Sequence, residues 1–451
     1  MKIKLIIPSV SRDSIISSAE TFKIQQLNLP LLAAFTPAGH DVMIVDESFA
    51  PDNPDEEVDL VGITVMTDLA LRAYRIADHY RRRGIKTVLG GIHPTVLPNE
   101  ALKHADAVVI GEGETAWQHV VSDAGKGELR KVYRAQKPTN MSNLPQPRRD
   151  LYPDLAFKSY TPLSVGMETS RGCPYDCEFC AVSRISRQSY RLRPVSEVIA
   201  EIEACGISNL FFVDDNFGLD KKSTRELFAQ MTPLKRRWVG QGSVSLAEDP
   251  EFLRLMRHSG CRALLIGFES VQKNVQESMA KTRKLKIDYG EAMRRFHDEG
   301  ISILGAFVFG FDHETRDVFD QTLEFAMNHR IDLAQLRPLV PYPGTRVYQK
   351  LRSEGRLPVP DWWLKGIGSN NLLFRPKSMT PDEFIAGLTG LIVQFYSAGG
   401  IVKRYFGISP RKRTPFDTLL YAGSNIANHK RYFNNMPAVV NSPGVLVHSL
   451  D

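Results

Sequence analysis

The first 125 residues alternate short apolar runs with helix-length segments. The runs are rich in Val and Ile and show no regular polar alternation, which is typical of parallel strands covered on both faces. Between them lie stretches such as Leu69–Arg83, with small or apolar residues at helical spacing and a basic last turn. The pattern predicts a doubly wound parallel (Rossmann-like) domain with strands at Lys2–Ile7, Val42–Val45, Leu60–Val65, Thr87–Leu89 and Ala107–Ile110.

The loops after strands three, four and five of this domain carry glycine or polar residues. Ligands of such sheets bind beyond the carboxyl ends of the strands. The glycines either act only as turn residues or line a ligand cleft, and three such loops in succession favour the cleft. No Gly-x-Gly-x-x-Gly opens the first helix, so a dinucleotide site has no support. The candidate cofactor-binding residues are Val65, Met66, Thr67, Gly90, Gly91, His93, Gly111, Glu112, Gly113 and Glu114.

The alternation resumes from about residue 160 to 340 with six strand–helix units. Six units predict an open partial (β/α)6 barrel, whose catalytic end is again the carboxyl end of its strands. The predicted organisation is α/β, with a front domain at 1–125, a linker at 126–160, the barrel at 161–345 and a mostly helical region at 346–451. The predicted barrel strands are Ser164–Glu168, Asn209–Val213, Val239–Ser243, Ala263–Phe268, Ile303–Phe309 and Leu333–Leu339.

Composition narrows the protein class only a little. The 451 residues include 57 Lys or Arg and 51 Asp or Glu, and a net charge of +6 is small for this length. It does not indicate a nucleic-acid binder. The sequence contains no run of 18 apolar residues, so it predicts no membrane-spanning helix. The start of the chain lacks the apolar core of a secretory signal. Five cysteines, an odd number, argue against a disulfide scaffold, so we expect a reducing, cytoplasmic location.

Three of those cysteines, Cys173, Cys177 and Cys180, occupy eight residues with the spacing C-x3-C-x2-C. Such clusters usually bind metal, and thiolates suit zinc, copper(I) or iron–sulfur clusters. A closed zinc site needs four ligands, and no nearby Cys or His supplies the fourth. Three thiolates fit a four-iron cluster with one open iron. A zinc site and an electron-transfer cluster are the alternatives. Cys205 and Cys261 stand alone and are predicted to be small buried hydrophobes.

Polar residues accumulate at the carboxyl ends of the predicted barrel strands. Carboxylates and amides in an apolar barrel need partners, and a ligand with an ammonium group, a carboxylate and hydroxyls would provide them. The alternative is that these residues only cap the helices that follow, which we favour for Asp220 and Ser223. The candidates for ligand contact are Asp214, Asp215, Gln241, Ser243 and Glu269, with Gln335, Arg337 and Tyr342 as candidates for a substrate pocket.

The cysteine motif, with Phe179 before its third cysteine, resembles that of the radical S-adenosylmethionine (SAM) enzymes. Over about residues 1–376 the chain is similar to the subfamily that carries an N-terminal cobalamin-binding domain. The segments that carry this resemblance are 91–95, 111–114, 144–151, 212–217, 267–270, 309–312 and 341–345.

The resemblance implies that the three cysteines hold a 4Fe-4S cluster and that its open iron binds SAM. The reduced cluster then cleaves SAM to a 5′-deoxyadenosyl radical. Phe179, Asp214, Asp215, Gln241, Ser243 and Glu269 would surround SAM, and the front loops would bind cobalamin. Many members methylate unactivated carbon, using one SAM to methylate cobalamin and a second to make the radical. A cobalamin-independent cyclase or carbon–carbon coupling enzyme, and a non-catalytic iron–sulfur protein, are the alternatives.

The same resemblance implies a small-molecule or lipid-like substrate, an electron donor such as flavodoxin or ferredoxin, and no nucleic acid. One departure concerns the corrinoid. Domains that replace the dimethylbenzimidazole ligand carry Asp-x-His-x-x-Gly, which this sequence lacks, and His93 lies in a different motif. Either cobalamin binds without a histidine ligand, or the domain has lost cobalamin and packs as a lid.

The C-terminal region opens with a capping box, Thr380 to Glu383, followed by an amphipathic helix through about Ser397. Its apolar stripe is predicted to pack on the barrel, with a substrate or membrane-surface contact as the alternative. Beyond it, basic and aromatic residues interleave. They predict either a helical closing cap or a peripheral contact with an anionic lipid surface or a polyanionic substrate. The basic residues are Lys403, Arg404, Arg411, Lys412, Arg413, Lys430 and Arg431.

Overall fold

The structure is a computed structural model. It describes residues 1–9, 23–152, 163–186, 189–278, 286–406, 414–442 and 445–447. Arg411, Lys412 and Arg413 of the basic C-terminal segment lie outside the described residues.

The strands fall into two large parallel sheets and two short ribbons. In chain order they are β1 Lys2–Ile7, β2 Lys23–Gln25, β3 Asp41–Asp46, β4 Leu60–Thr64, β5 Lys86–Gly90, β6 Ala107–Ile110, β7 Val132–Arg134, β8 Leu163–Met167, β9 Ser170–Arg171, β10 Arg191–Leu192, β11 Asn209–Phe212, β12 Arg237–Gly242, β13 Cys261–Glu269, β14 Ser302–Phe309, β15 Leu333–Pro338, β16 Val439–Ser442 and β17 Val445–Val447.

The α-helices connect and cover these sheets. They are α1 Asn28–Ala34, α2 Ala70–Arg82, α3 Ile92–Val96, α4 Pro98–Ala101, α5 Glu114–Lys126, α6 Val182–Ser186, α7 Val195–Ala204, α8 Lys221–Met231, α9 Pro250–His258, α10 Lys273–Ser278, α11 Tyr289–Asp298, α12 Val318–Asn328, α13 Arg346–Ser353, α14 Pro381–Phe395, α15 Ala398–Phe406 and α16 Pro415–Asn434. The predicted capping box at the start of α14 is present, with Thr380 and Glu383 each bonding the other's backbone.

The front sheet has the strand order β3-β1-β4-β5-β6-β7, and all of its pairings are parallel. It confirms the predicted doubly wound fold. The order reverses between β1 and β4, which is where such sheets open a crevice at their carboxyl edge. The strands are buried on both faces, as their continuous apolar runs require.

The second sheet has the order β15-β14-β13-β12-β11-β8-β2 and is also parallel throughout. Its strands β8 and β11 to β15 are the six predicted barrel strands, so the partial barrel is confirmed. The C-terminal helices cover one free edge, because the hydroxyls of Tyr396 and Tyr432 accept hydrogen bonds from the backbone N–H groups of Ala334 and Leu336 at 3.1 and 3.2 Å. An exposed strand edge is thereby satisfied.

Two short strands differ from the prediction. β2 comes from the front part of the chain but pairs with β8 at the edge of the barrel sheet. β7 lies in the predicted linker but extends the front sheet beside β6. Each strand has three residues, too few to show a period of two, so the apolar pattern does not reveal them. The domain boundaries at 125 and 160 stay a prediction.

The carboxyl edges of the two sheets face each other. The loop after β4 meets the loop after β15, where the Tyr342 hydroxyl donates to Asp68 at 3.0 Å. The Trp363 indole N–H, just beyond the barrel, donates to Glu100 of the front domain at 3.0 Å. Both loop sets expected to bind cofactors therefore border one interdomain region.

Candidate functional site

The three clustered cysteines lie in a loop between β9 and α6, at the carboxyl edge of the barrel sheet. Cys177 is buried, and Cys173 and Cys180 are half-buried. All five cysteines of the chain fall within the described residues, and none forms a disulfide. The loop begins at Gly172, which has φ +92° and whose missing Cβ would lie 2.0 Å from the carbonyl oxygen of Ser189. Only glycine fits there, so the entry to the loop is fixed.

Two aspartates after β11 accept hydrogen bonds from the segment that leads into this loop. Asp214 accepts hydrogen bonds from the Thr169 N–H at 2.9 Å, the Thr169 hydroxyl at 2.5 Å and the Ser170 hydroxyl at 2.6 Å. Asp215 accepts from the Gly172 N–H at 2.8 Å. The pair thus anchors three of the four residues that directly precede Cys173. Asp214, 2% exposed, is enclosed by these donors, and its expected contact with SAM stays a prediction.

Burial raises the pKa of Asp214 to about 7, although the hydroxyl groups of Ser170 and Thr169 oppose the shift. The native state therefore keeps a proton that the unfolded chain releases near pH 4. We expect the free energy of unfolding to fall as the pH rises from about 4 to about 7, and to level off above that. Anaerobic guanidinium denaturation between pH 5 and 8 measures this slope, which Asp214→Asn should flatten.

The matched control for this prediction is Asp150→Asn. Arg148 lowers the pKa of the exposed Asp150 carboxyl, so its titration lies below the measured range. That variant should keep the wild-type slope. An unchanged slope in Asp214→Asn would contradict the assignment of the proton to Asp214.

The remaining predicted SAM-site residues border the same edge. Gln241 on β12 is exposed and donates to the backbone oxygen of Asp215 at 3.1 Å. Phe179 packs edge-to-face on Phe311, with 5.7 Å between ring centroids. Ser243 instead caps the short helix that follows it, accepting from the Ser245 N–H at 3.3 Å. Ser243 therefore matches the alternative interpretation, in which it caps the helix that follows.

Glu269 is the end of β13 and has a left-handed backbone, with φ +62°. The pairing of β13 with β14 shifts register between Gly267 and Glu269. A non-glycine residue held in this conformation costs free energy, and such strain and bulges concentrate at functional sites. Next to it, the buried Ser270 hydroxyl donates at 2.8 Å to the buried Glu314, which also accepts from the N–H of Gly310 at 2.6 Å. Glu314 thereby ties the ends of β13 and β14 together.

A cluster of charged residues joins the cysteine loop to the front domain. Arg171 on β9 makes two hydrogen bonds to Glu168, at 2.8 and 2.9 Å, and ion pairs with Glu114 at 2.8 Å and Glu112 at 3.3 Å. Arg191 on β10 also binds Glu112. Burial alone would raise the pKa of Glu112, but Arg191 and the other donors bring it down to about 2. Glu112 and Glu114 thus connect the two domains, and their expected role in cofactor binding stays a prediction.

The front loops place glycines around an exposed methionine. Met66 directly follows a buried residue, Val65, and is 59% exposed. The Val65 backbone bonds both neighbours, donating to Gly90 at 2.8 Å and accepting from His93 at 3.1 Å. Gly91 has φ +99°, and a Cβ there would lie 3.0 Å from the Val65 backbone. These contacts bring the loops after β4 and β5 together, and the Met66 side chain is exposed beside them.

Gly111 and Gly113 belong to the loop after β6. Gly111 donates its N–H to the Thr95 hydroxyl at 3.0 Å, which links this loop to α3. Gly113 precedes α5 as its N-cap residue. The three front loops therefore form one connected edge.

His93 has no ring nitrogen left for a ligand. It is fully buried; Nδ1 lies 3.2 Å from the Thr67 hydroxyl, and Nε2 lies 3.0 Å from both the Tyr74 hydroxyl and Glu100 Oε1. Trp363 also donates to Glu100. The His93 imidazole is part of a buried hydrogen-bond network that reaches the barrel side of the interface, and the cofactor contact expected of His93 stays a prediction.

The cysteine loop suits a cluster better than a single ion. Within the parts of the chain that the structure describes, no three His, Cys, Asp or Glu side chains are gathered where one metal ion could be held. A four-iron cluster needs no such convergence, because each thiolate binds a different iron. The Asn216 amide, 4.0 Å from Cys173 Sγ, provides a polar neighbour for a thiolate. The donor set fits the iron–sulfur interpretation, and the zinc alternative gains no support.

Two glycine-rich and polar edges facing each other, one with a cysteine triplet, define an enzyme of the radical SAM type with a corrinoid-type front domain. Comparison with known proteins agrees. The model of the radical SAM superfamily matches residues 167–326, and that of the B12-binding domain matches residues 16–121.

The bacteriochlorophyllide d C-12(1)-methyltransferase of Chlorobaculum tepidum is 31% identical over 84% of each chain. The bacteriochlorophyllide d C-8(2)-methyltransferase of the same organism is 28% identical over 74% of this chain and 77% of its own. The structure of the radical SAM methyltransferase TsrM from Kitasatospora setae, with cobalamin and a 4Fe-4S cluster bound, covers 96% of this chain and 99% of its own, with a TM-score of 0.69 and 16% identity. The chain therefore belongs to the radical SAM family, in the group with a B12-binding domain.

Its cofactors are a 4Fe-4S cluster, SAM and cobalamin, and it uses an electron donor and a small-molecule substrate. The presence of a B12-binding domain resolves the choice between cobalamin and a lid in favour of cobalamin. Among the described residues, no single helix has the length and apolar character of a membrane span, whereas α14 and α15 together pass that test with a 56° bend between them.

The histidine network predicts that the protein supplies no axial nitrogen to the corrinoid from His93. We expect His93→Gln to leave the visible and paramagnetic resonance spectra of bound cob(II)alamin the same as in the wild type. Tyr74→Phe disturbs the same network without removing an imidazole and is the matched control. A spectral change in the His93 variant alone would show that His93 is a ligand.

The sequence analysis assigned no role to four neighbours of the site, which are Thr169, Ser170, Arg171 and Arg191. One signal for Arg171 was available, because a charged residue directly before Gly172 and Cys173 needs a partner at the end of an apolar barrel. Nothing in the sequence indicates that this partner lies in the front domain.

Proposed function

We propose that this enzyme methylates an unactivated carbon of a small, largely apolar molecule bound between the two domains. The observation that carries the proposal is the contact of the two carboxyl edges, where Tyr342 and Asp68 are directly bonded. In this arrangement, a corrinoid bound by the front loops and SAM bound at the barrel opening would lie on either side of one substrate. The names of the two Chlorobaculum relatives, both carbon methyltransferases, support it.

The residues of this chain would divide the work as follows. Cys173, Cys177 and Cys180 would hold the cluster, and the Asp214–Asp215 pair would fix their loop. When bound, the cluster and SAM supply a carbon-centred radical that removes a substrate hydrogen, and cobalamin supplies the methyl group. Gln241 and Glu269 border the SAM region, and Met66 offers an apolar contact to the corrinoid.

Arg337 and Gln335 lie on β15, and both are half-buried. The two residues are separated by one position in a strand, so their side chains lie on the same face. Arg337 also lies near enough to Asp68 for its charge to act on that carboxyl. A guanidinium at this place suits a substrate with a carboxylate or another anionic group. We therefore propose an apolar substrate that carries one acidic group.

The test is anaerobic reconstitution followed by product analysis. The expected result is about four iron and four sulfide, one bound corrinoid, and equal amounts of S-adenosylhomocysteine and 5′-deoxyadenosine per methylation. In a deletion strain, a metabolite one methylene lighter should accumulate. Formation of 5′-deoxyadenosine in protein that binds no added corrinoid would overturn the methylation proposal and leave a cobalamin-independent radical reaction.

Electron supply and location follow the same chemistry. We propose a flavodoxin or a ferredoxin as the electron donor and the cytoplasm as the location, supported by cysteines that form no disulfide. Reduction of the reconstituted cluster by a purified flavodoxin, with SAM cleavage as the readout, tests the donor.

A further inference from the structure

The outward faces of α15 and α16 are apolar although they are exposed. Among the described residues, nine large hydrophobic side chains are exposed, and five of them lie on these two helices. The five are Val402 at 52% exposure, Phe406 at 77%, Leu419 at 72%, Ile426 at 54% and Phe433 at 42%. An exposed apolar concentration of this kind marks an interaction surface rather than ordinary surface composition.

The helical spacing places these residues on common faces. Leu419, Ile426 and Phe433 are seven residues apart, close to two helical turns, so they form one stripe along α16. Val402 and Phe406 are four residues apart and share a face of α15. We call these five residues, with the exposed Lys403 and Lys430, the apolar–basic face.

The two helices contact each other through specific side chains near the start of α16. The Tyr405 and Thr418 hydroxyls lie 3.1 Å apart, and the Tyr421 hydroxyl donates to the Ile401 carbonyl at 2.8 Å. Phe406 and Leu419 each directly follow a residue of the first contact. Phe406 and Leu419 therefore border the contact between the two helices.

The opposite side of α16 is already fixed to the barrel. Asp417 forms a capping box with Thr414, the N-cap residue of α16, and accepts a hydrogen bond from Arg257 at 3.0 Å. Asn425 donates to the Asp332 carbonyl at 3.2 Å and accepts from the buried Arg404 at 2.9 Å. These polar contacts are buried and specific, so the apolar stripe is not the side by which α16 binds its own domain.

The charge of this segment identifies the partner. Between residues 398 and 434 the sequence has seven Lys or Arg and one acidic residue, Asp417, which is buried against Arg257. Arg404 is buried, so the exposed charge of the two helices comes from Lys403 and Lys430, and Arg411, Lys412 and Arg413 add three positive charges to the sequence between the helices. Apolar side chains beside lysines, with no exposed acid, are the composition of surfaces that lie in the headgroup region of anionic bilayers.

We propose that the apolar–basic face binds the surface of an anionic lipid membrane, so that the enzyme acts as a peripheral membrane protein. A second copy of the chain fits less well. A two-fold interface would bring the same patch against itself, and its lysines would meet lysines with no acid between them. Lipid headgroups supply the missing negative charge, and the acyl region accepts the Phe and Leu side chains.

The test is co-sedimentation of the full, reconstituted chain with vesicles of phosphatidylcholine alone or mixed with phosphatidylglycerol. We expect binding to the mixed vesicles, weakened by salt. Phe406→Ser with Leu419→Ser should reduce the bound fraction by at least about tenfold. Lys403→Gln and Lys430→Gln should each reduce affinity for the mixed vesicles by about fivefold. Thermal melting checks that the variants fold. We expect them to fold because the substituted side chains are exposed.

The matched control is Val132→Ser, an exposed apolar residue of the front domain at 40% exposure, which should bind vesicles as the wild type does. Absence of binding to mixed vesicles by the wild type would overturn the proposal. So would a concentration-dependent dimer, seen by sedimentation velocity and lost in the Phe406 and Leu419 variant without any vesicle binding. That result would assign the face to a second copy. Neither outcome bears on the methylation reaction, since SAM cleavage is measured separately.

Discussion

Replacing Cys177 by alanine is expected to abolish SAM cleavage while leaving the protein folded. Cys177 is the buried member of the triplet, and a cluster cannot keep one open iron if it loses a thiolate ligand. We expect iron content to collapse and 5′-deoxyadenosine formation to fall by more than about a thousandfold, because the cofactor carries the chemistry. Anaerobic reconstitution, visible absorbance and chromatographic quantification of 5′-deoxyadenosine measure both effects.

Cys205→Ala is the control within the same chain. Cys205 lies at the end of α7, where its thiol faces the Ile202 carbonyl at 3.2 Å. It should retain both iron and SAM cleavage. Equal loss in the two variants would mean that the effect of Cys177 is a general loss of folding, and retention of a full cluster in Cys177→Ala would contradict the assignment of ligands.

Replacing Arg171 by methionine should strongly destabilise the protein and loosen the interface. The change leaves Glu168, 8% exposed, and Glu114 without their cation. Removing one partner of a buried ion pair leaves an uncompensated charge and costs about 3–5 kcal/mol of unfolding free energy. Because Arg171 directly precedes the cysteine loop, we expect reduced iron incorporation. Guanidinium denaturation and iron analysis provide the two measurements.

Arg148→Met is the control that separates the effect of Arg171→Met on stability from the effect of losing any arginine. Arg148 binds Asp150 through two nitrogens, but both side chains are about half exposed or more, so the loss should stay below about 1 kcal/mol. Arg171→Lys should fall between wild type and methionine, since lysine keeps the charge but cannot form the two-pronged bond. Equal effects of the Arg148 and Arg171 variants would contradict the proposed role of the interdomain cluster.

Much of the architecture is readable from local pattern. The barrel strands and the front strands follow from continuous apolar runs at the spacing of strand–helix units, and the cysteine spacing is a local signal that needs no folding argument. The start of α14 is equally local, since Thr380 and Glu383 specify it within one turn. These features depend on residues close in sequence, where periodicity and capping chemistry act.

The partners of the site depend on contacts distant in sequence. Glu112 and Arg191 are 79 residues apart, and Asp214 lies 45 residues after its donor Thr169. No period or motif connects such pairs, because only the closure of the barrel and the docking of the front domain bring them together. His93 shows the same limit, because nothing in its sequence context indicates that Thr67, Tyr74 and Glu100 contact its ring nitrogens.

The strand β2 has a consequence for dividing the chain. Residues 23–25 belong to the front part of the sequence, yet they complete the barrel sheet beside β8, the strand that runs directly into the cysteine loop. A fragment that starts at the barrel would leave the hydrogen-bonding groups of β8 open to solvent and prone to pair with another molecule. Truncation near residue 160 should therefore yield aggregated material, and a functional barrel must be expressed together with the segment that precedes it.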